Sequence, residues 1–168
     1  MFESCSQLKE VNLKRFRTYN VVIMGFMFAN CISLVSLDVT TFDLSKTNSL
    51  NYLFKNCSSL TSLDVSNFKT NKITMMSNIF AFCSNLTSLD VSNFDTTSAI
   101  YISGMIDEYR SLTRIDVGGF RTTALRMPTD SMFRNCELIK SLDLSNFKMA
   151  PVSRMSKMFE GCKNLEHI

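Results

Sequence analysis

A segment of 26 residues recurs along this chain, and a chain that repeats itself at such a period has few folds open to it. Units begin at Met1, Met27, Leu53, Ile79, Met105, Met132 and Met158, in steps of 26 residues apart from one of 27 between Met105 and Met132. The third reads LFKNCSSLTSLDVSNFKTNKITMMSN and the fourth IFAFCSNLTSLDVSNFDTTSAIYISG; the seventh, MFEGCKNLEHI, stops partway. Residues 1–168 thus form one domain of six full units and a partial seventh. A unit of this size cannot bury its own apolar face, so neighbours must stack and share a continuous core.

The alignment accounts for an unusual composition of 14 Phe and 11 Met with no Trp and one His. One column holds Phe2, Phe28, Phe54, Phe80, Phe133 and Phe159, and another Phe16, Phe42, Phe68, Phe94, Phe120 and Phe147. All six cysteines share a third: Cys5, Cys31, Cys57, Cys83, Cys136 and Cys162. Tyr109 takes that place in the fifth unit.

Two periodicities follow one another within a unit. Leu60-x-x-Leu63-x-Val65-x-x-Phe68 alternates as a half-buried strand does. Ile73, Met76, Ile79, Phe80 and Cys83 then recur at the spacing of one helical face, as do Val152, Met155, Met158, Phe159 and Cys162. These patterns predict an α/β repeat solenoid, a right-handed coil with a parallel sheet on one side and short helices on the other. The two Phe columns become aromatic spines.

The consensus MFxxCSSLTSLDVSNFDT, followed by a Val/Met segment, resembles the BspA-like leucine-rich-repeat surface proteins. It is most similar to the branch with mycoplasma lipoproteins and lactobacillus surface proteins. The resemblance spans the whole chain. It implies an adhesion or protein-recognition role at the cell surface or outside the cell, and it carries over no catalytic residue and no cofactor. The chain itself shows no signal segment, anchor or membrane span: its most apolar window, Val21 to Ala29, falls far short of the roughly 20 residues a spanning helix needs.

Little else points to chemistry. His167 is the one histidine and stands near the last residue, so nucleophile–base arrangements have no base to draw on. Six cysteines allow three disulfides, but one shared column favours buried structural thiols over bridges or a metal. The net charge of +3 is too small to argue for nucleic acid, and the basic first unit (Lys9, Lys14, Arg15, Arg17) lacks interleaved exposed aromatics. Two glycosylation-like triplets, at Asn56 and Asn85, fall on consensus positions of the repeat.

The candidate binding residues are a row of carboxylates. Asp38, Asp64, Asp90, Asp116 and Asp143 lie between the apolar strand positions, with Asn12 in the first unit and Arg114 near Asp116. The pleat turns them outward, flanked by Ser and Thr. Three readings stand: a solvated face held by hydroxyl hydrogen bonds, a binding face for a basic protein, or a row of cation ligands. Repulsion along the row predicts raised pKa values at Asp64, Asp90 and Asp116.

The fifth unit departs from the pattern with Ile106, Tyr109, Arg114 and Gly118-Gly119, and with an insertion near Met127-Pro128, where Pro suits the first turn of a helix. Drift and a functional loop both remain open there. The expected function is a non-catalytic interaction module for a protein partner, such as a host or neighbouring-cell surface protein, without metal or cofactor. A structural spacer within a longer surface protein is the alternative. Terminal units without polar caps add an expectation of end-to-end self-association.

Overall fold

The computed structural model describes residues 1–126, 128–148 and 154–168. Successive units lie on one another as turns of a stack, numbered here 1 to 7 in chain order. Parallel bridges join Ile23 to Ser49, Ser49 to Met75, Met75 to Tyr101, and Ser141 to His167, each one repeat apart. Both Phe columns are packed inside. Rings Phe28–Phe54 and Phe54–Phe80 stand 6.0 and 5.9 Å apart, Phe42–Phe68 and Phe68–Phe94 6.5 and 6.3 Å. Ile106 interrupts the first spine, which resumes at Phe133–Phe159 with a spacing of 5.8 Å.

The α/β architecture does not form. Among the described residues there is no helix, and regular pairing is confined to isolated bridges, so there is neither a parallel sheet nor a helical layer. The reason lies in the backbone of the segment with helical spacing. Two residues in each repeat take positive φ, four apart: Phe26 and Asn30, Tyr52 and Asn56, Asn78 and Phe82, Gly104 and Glu108, Ser131 and Asn135, Lys157 and Gly161. Each left-handed residue costs an L-amino acid about 1–2 kcal/mol and ends any right-handed helix. Amides there alternate in direction. Leu50, Tyr52, Phe54 and Asn56 donate across to Met75, Ser77, Ile79 and Ala81 on the next turn, at 2.7–2.9 Å. Leu53, Lys55 and Cys57 donate three residues back along their own turn. The segment is a run of tight turns stitched to its neighbour, and it buries residues three and four apart as a helix would.

Three of the bridges fall on the column of Ile23, Ser49, Met75 and Tyr101, where the helical pattern begins; the fourth, Ser141 to His167, stands beside the Leu142-x-Leu144 stretch of turn 6. The chain turns just after the Leu-x-Val stretch, where the amide of Phe42 or Phe68 donates back to Val39 or Val65. No helix starts at Pro128. Met127 at the insertion and Val152 in the last helical pattern lie outside the described residues.

Candidate functional site

The Asp row is built by its own backbone. In every full repeat the side-chain oxygen accepts the amide two residues on: Asn12 from Lys14 at 3.1 Å, Asp38 from Thr40 at 3.0 Å, Asp64 from Ser66 at 2.9 Å. Asp90, Asp116 and Asp143 do the same with Ser92, Gly118 and Ser145 at 3.0, 2.8 and 2.9 Å. Such Asx turns need an acceptor oxygen and not a charge, which explains Asn12. Hydroxyls of Thr40 and Ser92 add bonds of 2.5 and 2.7 Å to Asp38 and Asp90. In all five aspartates Oδ1 is used in this way, while Oδ2 has no hydrogen-bond partner among the described residues.

This geometry reverses the titration expected of Asp64 and Asp90. The hydroxyl and amide of Ser66 hold the Asp64 carboxyl below its ordinary range and outweigh the opposing charges of Asp38 and Asp90. Bonds from Ser92 lower Asp90 likewise, those from Thr40 lower Asp38, and those from Ser145 lower Asp143. Hydrogen bonds to the ionised form at contact distance win over like charges seen through water. Arg114 is exposed and makes no ion pair with Asp116 among the described residues. Shallow grooves run along the row at turns 1–3, one of about 480 Å³ beside Asn12 and Asp38, another of about 380 Å³ between Asp38 and Asp64.

The cysteines are all unpaired. Thiols of Cys31, Cys57 and Cys83 donate to the carbonyls of Phe2, Phe28 and Phe54 one turn back, at 3.1, 3.1 and 3.0 Å. Cys136 and Cys162 bond Ile106 and Phe133 in the same way. Burial pushes Cys83 up to about 12 and raises Cys57 and Cys136 as well, so these are thiols and not thiolates. Cys5 is exposed and Cys162 half-buried, against the expectation that the whole column is covered. Tyr109 is fully buried beside these thiols, and its hydroxyl lies against the Cys83 thiol with no oxygen or nitrogen partner among the described residues. His167 is exposed.

Two polar columns carry no signal in the hydrophobic pattern. Buried Thr18, Thr70, Thr96 and Thr122 each clasp one residue of the next turn at both backbone groups. The Thr96 hydroxyl donates to the Arg121 carbonyl at 2.7 Å and accepts the Arg121 amide at 2.6 Å. Asn67 and Asn93 each aim one amide nitrogen at three carbonyls of the turn before. Both columns recur in the sequence as N-F-x-T, but polarity alone assigns such residues to solvent. Gly119 takes the Asn place in turn 5, where a Cβ would collide with the Phe94 carbonyl oxygen. The fifth unit also holds a buried Asp107 in a forked pair with Arg134, at 2.9 and 2.7 Å. Desolvation raises Asp107 despite that guanidinium.

Apolar grooves lie at both ends of the stack, one of about 610 Å³ beside Leu144, Phe147, Met158 and Phe159, the other of about 200 Å³ beside Phe16, Val21, Met24 and Met27. No helix among the described residues is long and apolar enough to cross a membrane.

No curated protein matches the chain. A solved structure, a leucine-rich repeat protein from Bacteroides ovatus, is 18% identical with a TM-score of 0.32. The match covers 98% of this chain and 49% of that one, so the chain spans about half that protein's length. The model of a mycoplasma family of unknown function, DUF285, matches residues 1–87 and again 49–168. The two matches together span every repeat, and the chain belongs to the DUF285 family.

Proposed function

We propose that this repeat protein is a non-catalytic interaction module, displayed at a cell surface, that binds a basic protein segment along the Asp row. The observation that carries the reading is the division of labour within each carboxylate. Oδ1 is tied to the chain's own turn, which holds the side chain in place, and Oδ2 is left for a partner. The lowered pKa values keep Asp38, Asp64, Asp90 and Asp143 ionised well into the acid range. A prepositioned charge costs little ordering on binding and steers encounter with a partner of opposite sign. The resemblance to BspA-like proteins supports the surface setting. Under the spacer alternative, the row serves only the Asx turns.

The test is the triple variant Asp64→Asn, Asp90→Asn and Asp116→Asn, titrated with a lysine-rich peptide. Asn keeps the turn, as Asn12 shows, and removes the charge. The reading expects a midpoint at most slightly lowered, affinity lost by tenfold or more, and binding by the parent that weakens with salt. Equal affinity of parent and variant defeats it in favour of the spacer.

A further inference from the structure

The exposed apolar side chains are not on the Asp row. One group of them lies where turns 1–4 pair with one another, chiefly in turn 1. Ile23 is 68% exposed, Val22 49% and Phe26 43%, and Tyr101 is exposed at the far end of the pairing column. The bridges place Ile23, Ser49, Met75 and Tyr101 in register on consecutive turns. Phe26 stacks on Tyr52 at 4.6 Å. The Lys55 ammonium stands 5.2 Å from the Tyr52 ring centre and 5.8 Å from that of Phe82. Phe26, Tyr52 and Phe82 all hold positive φ, a conformation that favours Gly or Asn, so large apolar groups are displayed at positions that local backbone energy does not select.

The charges of this face are one-sided. Residues 19–31, 45–57, 71–83 and 97–106 contain Lys46, Lys55 and Lys72 and no Asp or Glu. Lys46 and Lys72 are exposed along one border of the face, and the Lys46 ammonium bonds Asn20 one turn away at 2.8 Å. Carboxylates return on this side with Asp107, Glu108 and Asp130 in turn 5, where they are engaged by Arg134, Asn135 and Arg154, and Asp43 lines the groove that Lys72 borders. The Asp row belongs to a separate stretch of each turn.

Exposed aromatic and branched aliphatic groups, flanked by lysines and with the neighbouring acids engaged by the chain itself, are what an interfacial membrane-binding surface needs. Apolar groups enter the headgroup–acyl boundary, and ammonium groups meet anionic lipid. We propose that the pairing face of turns 1–4 docks peripherally on an anionic lipid surface. Ile23, Phe26 and Tyr101 would be its inserted groups and Lys46, Lys55 and Lys72 its electrostatic contacts. An acidic polypeptide shares the attraction to lysine, but it leaves Val22 and Ile23 without an apolar phase to enter.

The whole chain is sedimented with vesicles of phosphatidylcholine alone and of phosphatidylcholine with an equal part of phosphatidylglycerol. Two variants borrow residues from the same columns of other turns, so that the backbone is kept. Ile23→Ser with Phe26→Asn follows Ser49 and Asn78, and Lys46→Asn with Lys55→Ala and Lys72→Asn follows Asn20 and Ala81. The proposal expects binding to the anionic vesicles at least tenfold above the neutral ones. It expects a loss of about tenfold in the first variant and on the order of a hundredfold in the second, about fivefold per lysine. Unfolding midpoints of both variants verify that they are folded, and the triple Asp→Asn variant should bind vesicles as the parent does. Absence of sedimentation, equal binding to both vesicles, or anionic binding that neither folded variant weakens overturns the proposal. Capture of a poly-glutamate peptide in place of vesicles, lost in the lysine variant, assigns the face to an acidic polypeptide and equally overturns the lipid assignment.

Discussion

The Cys57 thiol donates to the carbonyl of Phe28 on the preceding turn at 3.1 Å, and the same bond recurs along the column. Phe28 O also accepts the amide of Cys31, so one carbonyl ties its own turn to the next. A buried carbonyl has two lone pairs, and the small S–H fits both the acceptor and the apolar space beside it. Thiol reactivity should follow position. With a thiol reagent, Cys5 should react fast and Cys162 more slowly. Cys31, Cys57, Cys83 and Cys136 should react only as the protein unfolds, giving six groups in denaturant without reductant. A count of four or fewer after denaturation contradicts the free column.

The Asx turns predict how stability varies with acid. Asp38, Asp64, Asp90 and Asp143 have folded-state pKa values below the unfolded one, so their contribution is complete above about pH 4 and is lost as pH falls through the folded values. Converting Asp64 and Asp90 to Asn, which keeps the acceptor and removes the charge, should lower the midpoint slightly at pH 7, leave it unchanged in strong acid, and so flatten its decline with falling pH. Converting the same pair to Ala should lower the midpoint at both pH values, because the turn amides lose their acceptor. Thermal unfolding followed by circular dichroism across pH reads both effects.

Thr96 has the clearest energetic role among the polar groups. Thr96→Val keeps shape and strips a buried donor and acceptor from both backbone groups of Arg121. Leaving buried polar groups unpaired costs about 1–3 kcal/mol each, so a loss of about 2 kcal/mol is expected in urea unfolding. Thr96→Ser should recover most of it. A loss in the Val variant below about 0.5 kcal/mol, the range of ordinary surface substitutions, removes the clasp from the account of stability.

Tyr109 offers the opposite sign. Its ring fills the place that a thiol fills in the other turns, and its buried hydroxyl meets only the weak Cys83 thiol among the described residues. Tyr109→Phe should therefore stabilise the protein, by about 1 kcal/mol. Tyr109→Cys should destabilise it, because the smaller side chain leaves a cavity. Urea unfolding of the two variants decides, and a destabilised Phe variant would mean that the hydroxyl is bonded after all.

Several features are legible in the amino-acid sequence alone. The period, the stacking of units, the two Phe spines and the shared setting of the cysteines all follow from column identity, because a repeated residue in a stack meets its own copies. The outward Asp row is legible too, since alternation around Leu63 and Val65 assigns sides to the chain.

Backbone direction is not legible there. Burial at three- and four-residue spacing is common to a helix and to a run of tight turns, and hydrophobic pattern cannot separate them. Asn30 and Asn56 hint at left-handed turns, but Phe26, Tyr52, Phe82 and Glu108 adopt the same φ with no such signal. These residues take it because the neighbouring turn accepts their amides across the stack, an energy that exists only once two turns are in contact. The pKa directions are decided by local geometry. The charges of Asp38, Asp64 and Asp90 are written in the sequence, but that the Ser66 amide and hydroxyl outweigh them follows from their contact with Asp64 in the folded turn. Column identity determined which residues meet, and contact between turns decided how the backbone between them runs.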